Sequence, residues 1–145
     1  MIEQRLRMIQ LSISILGFAG LMAELVLKQH WRQPWQVFPF VLCGLAIIVI
    51  FVCIFKHGYV IFLMLRLVMI MVVLGAMIGI AKHLQANFST VLRLGIADIS
   101  SIEVLGEVLR GFAPVLAPGG MIIGAILAAS ATYGYSLIGK QREKR

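Results

Sequence analysis

The sequence predicts an all-α protein, an integral membrane four-helix bundle with both termini cytoplasmic and a short extracytoplasmic amphipathic helix between the third and fourth helices. Three observations carry that expectation. Hydrophobic residues make up 61% of the 145 positions and charged residues 13%, against roughly 45–50% and about 25% in soluble domains. The apolar residues gather into four long runs, and mean hydropathy is +0.99. The basic residues behind the formal net charge of +7 stand at the ends of those runs, as Lys and Arg do at the edges of membrane spans. They form no basic patch interleaved with aromatic residues, which excludes nucleic acid as a partner. The whole chain, residues 1–145, reads as one transmembrane domain.

Arg5 and Arg7 precede the first span, residues 8–28, about 30 Å of helix. Gly17-Phe18-Ala19 offers a small-x-small cleavage site, but the apolar run continues through Leu21 and Leu25, so a retained helix is expected and not a removed signal peptide. Gly17, Gly20 and Glu24 share one face of it. Residues 28–36 break the hydrophobicity around Pro34, with Trp31 and Trp35 on either side, and predict an interfacial hairpin. The second span covers 37–55, with Pro39 tolerated in its first turn, and Lys56-His57-Gly58 closes it. Cys43 and Cys53 lie ten residues apart in this run, about 15 Å along a helix, so they are expected to be separate buried thiols.

The third span, 59–84, contains Arg66, expected to snorkel toward the boundary marked by Lys56. In it Gly75, Gly79, His83 and Asn87 recur every four residues, which aligns them on one helical face. Two glycines there admit a close neighbour, and a His and an Asn on the same face look into the bundle. The extracytoplasmic segment 88–112 follows. Its Ser100 and Glu103 have capping-box spacing, and Ile102, Leu105, Leu109 and Phe112 repeat at helical intervals, predicting an amphipathic helix over 101–111 on the bilayer surface or the bundle mouth. Pro114 and Pro118 end that helix. The fourth span, 121–138, carries a stripe of small residues at Gly120, Gly124, Ala128, Thr132 and Ser136, built for close packing against a helix of the same or another chain.

Eight basic residues (Arg5, Arg7, Lys56, Arg66, Lys140, Arg142, Lys144, Arg145) share the side of the termini and five (Lys28, Arg32, Lys82, Arg93, Arg110) lie on the other, with four of the six acids. That places both termini in the cytoplasm. Glu24 and His83 then sit at similar depth near the extracytoplasmic boundary. If their faces meet, the carboxylate and imidazole form a polar clasp between the first and third helices, with His30, Gln36 and Asn87 closing a ligand pocket above it. Glu24, His30 and His83 are donors zinc accepts, but they lack a close-spaced motif, so no metal is assigned. No second suitably placed His supports haem, no Gly-x-Ser-x-Gly supports a nucleophile, and no Gly-rich loop followed by Lys supports phosphate binding. No catalytic residue and no cofactor are expected.

Glu24-Leu25 with Leu27, His30-Trp31 and Pro34-Trp35-Gln36 with Pro39 resemble the first hairpin of an uncharacterised group of small four-helix bacterial integral membrane proteins. Gly79, His83-Leu84 and Asn87 resemble the end of the third helix in that group. Ala113-Pro114, Leu116-Ala117-Pro118-Gly119 and Tyr133 resemble its fourth. The resemblance implies a multi-pass protein of the bacterial inner membrane and no particular activity. In the group the Asn precedes a Glu-Phe-Glu-like stretch; here Phe88-Ser89-Thr90-Val91 stands instead, which removes acids that a metal would use. The expected role is therefore that of a non-enzymatic accessory or self-associating protein. Its partners would be the bilayer and, through the fourth helix, another membrane protein or a second copy. The alternative is a small transporter, ion pathway or lipid- or ligand-binding protein using the polar site near the extracytoplasmic mouth.

Overall fold

A computed structural model describes residues 2–94, 101–110 and 116–133, and all of its regular structure is helical. Helix α1 spans Ile2–Leu27, a short 3₁₀ turn Pro34–Val37 leads into α2, Phe38–Phe55, and α3 spans Tyr59–Arg93. Helix α4 is Ser101–Arg110 and α5 is Leu116–Ser130. Three helices, α1, α2 together with its 3₁₀ lead-in, and α3, are long and apolar enough to cross a membrane; α5 is apolar but shorter, at 15 residues.

The first helix already begins in the charged start, at Ile2. Pro39 lies in the first turn of α2, where its missing N–H breaks no helical bond. The third helix runs well past the expected boundary, through Asn87 to Arg93, for 35 residues or about 52 Å. The fall in hydropathy after Leu84 suggested a helix end, yet the stretch from Ile80 to Leu94 holds neither Gly nor Pro, so nothing stops the helix when it leaves an apolar environment. At the other boundary α5 starts before the expected fourth span, with Pro118 inside its first turn instead of ending the preceding helix. The Ser100 cap, Asp98, Phe112, Pro114, Ser136 and the basic tail lie outside the described residues.

Four helices pack in a ring: α1 on α2 and α5, and α3 on α2 and α5, leaving α1 and α3 at opposite corners. Inward positions recur at alternating three- and four-residue steps. They are Leu11, Ser14 and Phe18 on α1; Ala46, Ile50 and Cys53 on α2; Leu65, Met69, Val72 and Ala76 on α3; and Met121, Ala125 and Ala128 on α5. This is the spacing of near-antiparallel bundle packing. The outward faces are apolar as well, with Ile13, Leu16, Ile48, Phe51, Ile70, Leu74, Ile123 and Ile126 exposed; helices apolar all round need an apolar surrounding.

Glycine sets the closest approaches. A Cβ at Gly75 would lie 2.3 Å from Leu42 Cδ1, so α2 seats directly on the α3 backbone there, and one at Gly79 would lie 3.5 Å from Pro118 of α5. Gly120 and Gly124 meet Leu21 and Phe18 of α1 at 3.4 and 3.3 Å. At Gly120 and Gly124 the small-residue stripe of the last helix is thus occupied by α1 of the same chain. Cys43 and Cys53 are buried free thiols.

At the end opposite the hairpin, polar side chains bind the bundle. Arg66 reaches the end of α5, where its Nε donates to Thr132 Oγ1 at 3.1 Å and its Nη2 to the Thr132 carbonyl at 2.8 Å. Arg7, buried, lies against His57 Nε2 and over the Phe62 ring, 5.5 Å from its centroid. Helix α4 lies against the far end of α3, where Asn87 Nδ2 donates to the Val108 carbonyl at 2.9 Å.

Candidate functional site: a cavity at the hairpin end

Where α1 ends and α2 and α5 begin, the four helices diverge around a cavity of about 80 Å³. Each contributes a wall: Leu21 and Leu25 from α1, Phe38, Pro39 and Leu42 from α2, Gly75, Ala76 and Gly79 from α3, and Ala117, Pro118 and Met121 from α5. Among the described residues lining it, only Glu24, Lys28, His30 and His83 are polar. The volume exceeds the roughly 10–15 Å³ that one water requires, and apolar walls with a few convergent polar groups are the usual make-up of a small-ligand site.

The local sequence explains how His30 comes to the rim. Gln29 adopts φ 50°, the left-handed region. The His30 N–H donates to the Leu25 carbonyl and the Gln29 N–H to the Val26 carbonyl, both at 2.9 Å. These two bonds are a Schellman closure, with Gln29 in the place usually taken by glycine. The chain reverses sharply and sets His30 over the end of its own helix. Arg32 Nη2 donates to Gln29 Oε1 at 2.6 Å and braces the turn. Left-handed backbone at a non-glycine costs on the order of 1 kcal/mol, and here it serves to place an imidazole.

Of the residues expected to form the clasp and pocket, Glu24, His30 and His83 do gather at this cavity. Their pairing differs from the expectation. Glu24 Oε1 accepts from Lys28 Nζ at 2.8 Å, one turn along the chain, with both side chains more than 40% exposed. The His83 ring faces His30, with centroids 6.1 Å apart and planes tilted by 35°. α1 and α3 occupy opposite corners of the ring: Gly75 and Gly79 of α3 meet α2 and α5, while at Gly17 and Gly20 of α1 a Cβ would meet nothing within 4 Å, so the expected meeting of the two glycine faces does not occur. Gln36 is used within the hairpin, its Oε1 accepting from the Gln33 N–H at 3.1 Å, and Asn87 holds α4. Neither lines the cavity. Lys28 was missed as a site residue, although its i, i+4 spacing from Glu24 was a readable signal.

Burial, and after it the positive charge of Lys28, lower the pKa of His30 from its ordinary value. The neutral imidazole is favoured, and a negative charge arriving at the rim would favour its protonation. Among the described residues no group of three or more His, Cys, Asp or Glu could hold a metal ion. What the site offers is an apolar space with an ammonium, a carboxylate and two imidazoles at its edge.

No protein family, characterised protein or solved structure matches this chain.

Proposed function

We propose that the chain is a multi-pass, non-enzymatic bacterial inner-membrane protein that binds a small apolar or amphipathic molecule in the cavity at its extracytoplasmic end. Helices α1, α2, α3 and α5 would span the bilayer with both termini in the cytoplasm, as the distribution of Lys and Arg favours. The single observation that carries the binding role is the cavity: all four helices wall it with apolar side chains, and its few polar groups converge on one edge. The accessory or self-associating role rests on the small-residue stripe of α5, and Leu21 and Phe18 already cover Gly120 and Gly124 within the chain. That favours ligand binding over self-association through this face. An ion pathway has weaker support, because the cavity floor toward Leu42, Ala76 and Met121 is apolar.

The test is a thermal-shift titration of the full chain in nanodiscs of neutral lipid with decanol. Binding to the folded state raises Tm by mass action. Gly79→Leu, which fills the cavity, is expected to abolish the shift while the circular-dichroism spectrum stays helical; Leu25→Trp at the rim gives a second blocked variant should the first misfold. An equal shift in wild type and in a folded blocked variant refutes the cavity as the binding site.

A further inference from the structure

The chemistry of the rim narrows the ligand class. The Glu24–Lys28 pair is half-exposed, and exposed i, i+4 pairs hold together weakly. Lys28 can therefore exchange its partner at little cost. His30 and His83 stand ring to ring beside it, two imidazoles that become strong donors once protonated. Among the described residues, the titratable and charged groups facing the cavity are Glu24 and Lys28 from the end of α1, His30 from the hairpin and His83 from α3; α2 and α5 supply none. A cationic ligand would find one carboxylate, already paired, and would face an ammonium. An anionic one would find one ammonium and two protonatable rings above an apolar well.

We infer that the ligand is a single-chain amphiphile with an acidic head, its negative oxygens held by Lys28, His30 and His83 and its alkyl chain lodged between Phe38, Leu42 and Ala76. Glu24 is then the internal stand-in for that head, released from Lys28 when the ligand arrives. The head brings the charge that allows the imidazoles to take up protons, so binding draws protons from solution. A carboxylate and a phosphate monoester share this chemistry, the first pointing to a free fatty acid and the second to a phospholipid-derived head.

This inference rests on the cavity being a binding site, and one ligand series separates the two. The full chain in nanodiscs of neutral lipid is titrated with decanoate, decyl phosphate, decanol and decyltrimethylammonium, and affinity is read from the Tm shift. The two acids are expected to bind on the order of tenfold more tightly than decanol, with the order of the acids showing which head is preferred. Their affinity should rise between pH 8 and pH 6 while that of decanol stays level. His30→Gln and His83→Gln should remove the preference and its pH dependence and leave decanol binding intact, which shows that the variants still fold. Decanol binding as well as the acids overturns the acidic head and leaves the cavity reading standing. Tightest binding of the ammonium overturns it in favour of Glu24 as anchor. Shifts indifferent to Gly79→Leu overturn both.

Discussion

Arg66 grips the last described turn of the bundle through both functions of Thr132, the hydroxyl at 3.1 Å and the backbone carbonyl at 2.8 Å. The carbonyl lies just beyond the end of α5, where helical partners run out, and Thr132 is only 1% exposed. A planar guanidinium can serve both acceptors at once and an ammonium cannot do so with the same geometry. Arg66→Met is expected to cost about 1–3 kcal/mol, and Arg66→Lys to recover less than half of it. Thr132→Val should cost less than Arg66→Met, because the bond to the carbonyl survives. Reversible unfolding in detergent checks all three.

Glycines on these helices divide into two kinds. Gly75→Ala brings a methyl against Leu42, a side chain 2% exposed and held in the core, and is expected to destabilise by about 1–3 kcal/mol. Leu42→Ala in the same chain should relieve the clash, making the double variant more stable than additivity predicts. At Gly17 and Gly44 a Cβ meets nothing within 4 Å, so Ala there should raise stability by a few tenths of a kcal/mol up to about 1. Chemical denaturation of these variants, with Leu42→Ala alone to complete the cycle, gives the comparison.

His30 makes stability depend on pH. Its pKa in the folded chain is lowered, so between that value and the ordinary one of about 6.5 the unfolded chain binds the extra proton. Stability is therefore full above the ordinary value, declines as pH falls through and below it, and levels off once folded His30 is itself protonated. Tm measured from pH 8 to pH 5 should show this decline, and His30→Gln should flatten it.

Asn87 is 2% exposed and its amide donates to the Val108 carbonyl. Asn87→Leu removes that bond, leaves the carbonyl short of a donor, and is expected to cost about 1–2 kcal/mol. The loss falls locally on α4, whose Leu105 and Leu109 are exposed. Limited proteolysis should cut within residues 101–110 faster in the variant while the opposite end of the bundle, held by Arg66 and Thr132, stays protected.

The apolar runs and the small-residue faces were readable in the sequence because each is a property of one helix. Gly75 and Gly79 do take close neighbours, and His83 does point to a shared polar site. Spacing along one helix, however, says nothing of which helix fills a face. The ring order puts α2 on Gly75 and α5 on Gly79, and that order depends on how four helices close together. The same gap hid the Arg66–Thr132 grip, whose partners are 66 positions apart. The Schellman turn at Gln29 escaped for another reason: the glycine that usually announces it is absent. The pairing of Lys28 with Glu24 was legible in their i, i+4 spacing alone.

The grip on Arg66 also bears on the thickness of membrane that the chain would fit if it spans a bilayer as proposed. With Arg66 turned inward to Thr132, the uncharged part of α3 is the fifteen residues from Leu67 to Ala81, ending at Lys82, or about 22 Å. Helix α5 is also 15 residues long. By the same measure α1 has the sixteen uncharged residues from Met8 to Ala23, or about 24 Å, so three walls of the bundle have uncharged stretches shorter than a hydrocarbon core of about 30 Å. In a bilayer spanned as proposed above, lipid beside these walls compresses. The Tm of the chain should then be higher in shorter-chain than in longer-chain phosphatidylcholine, and Arg66→Met, which lengthens the apolar stretch, should narrow that difference.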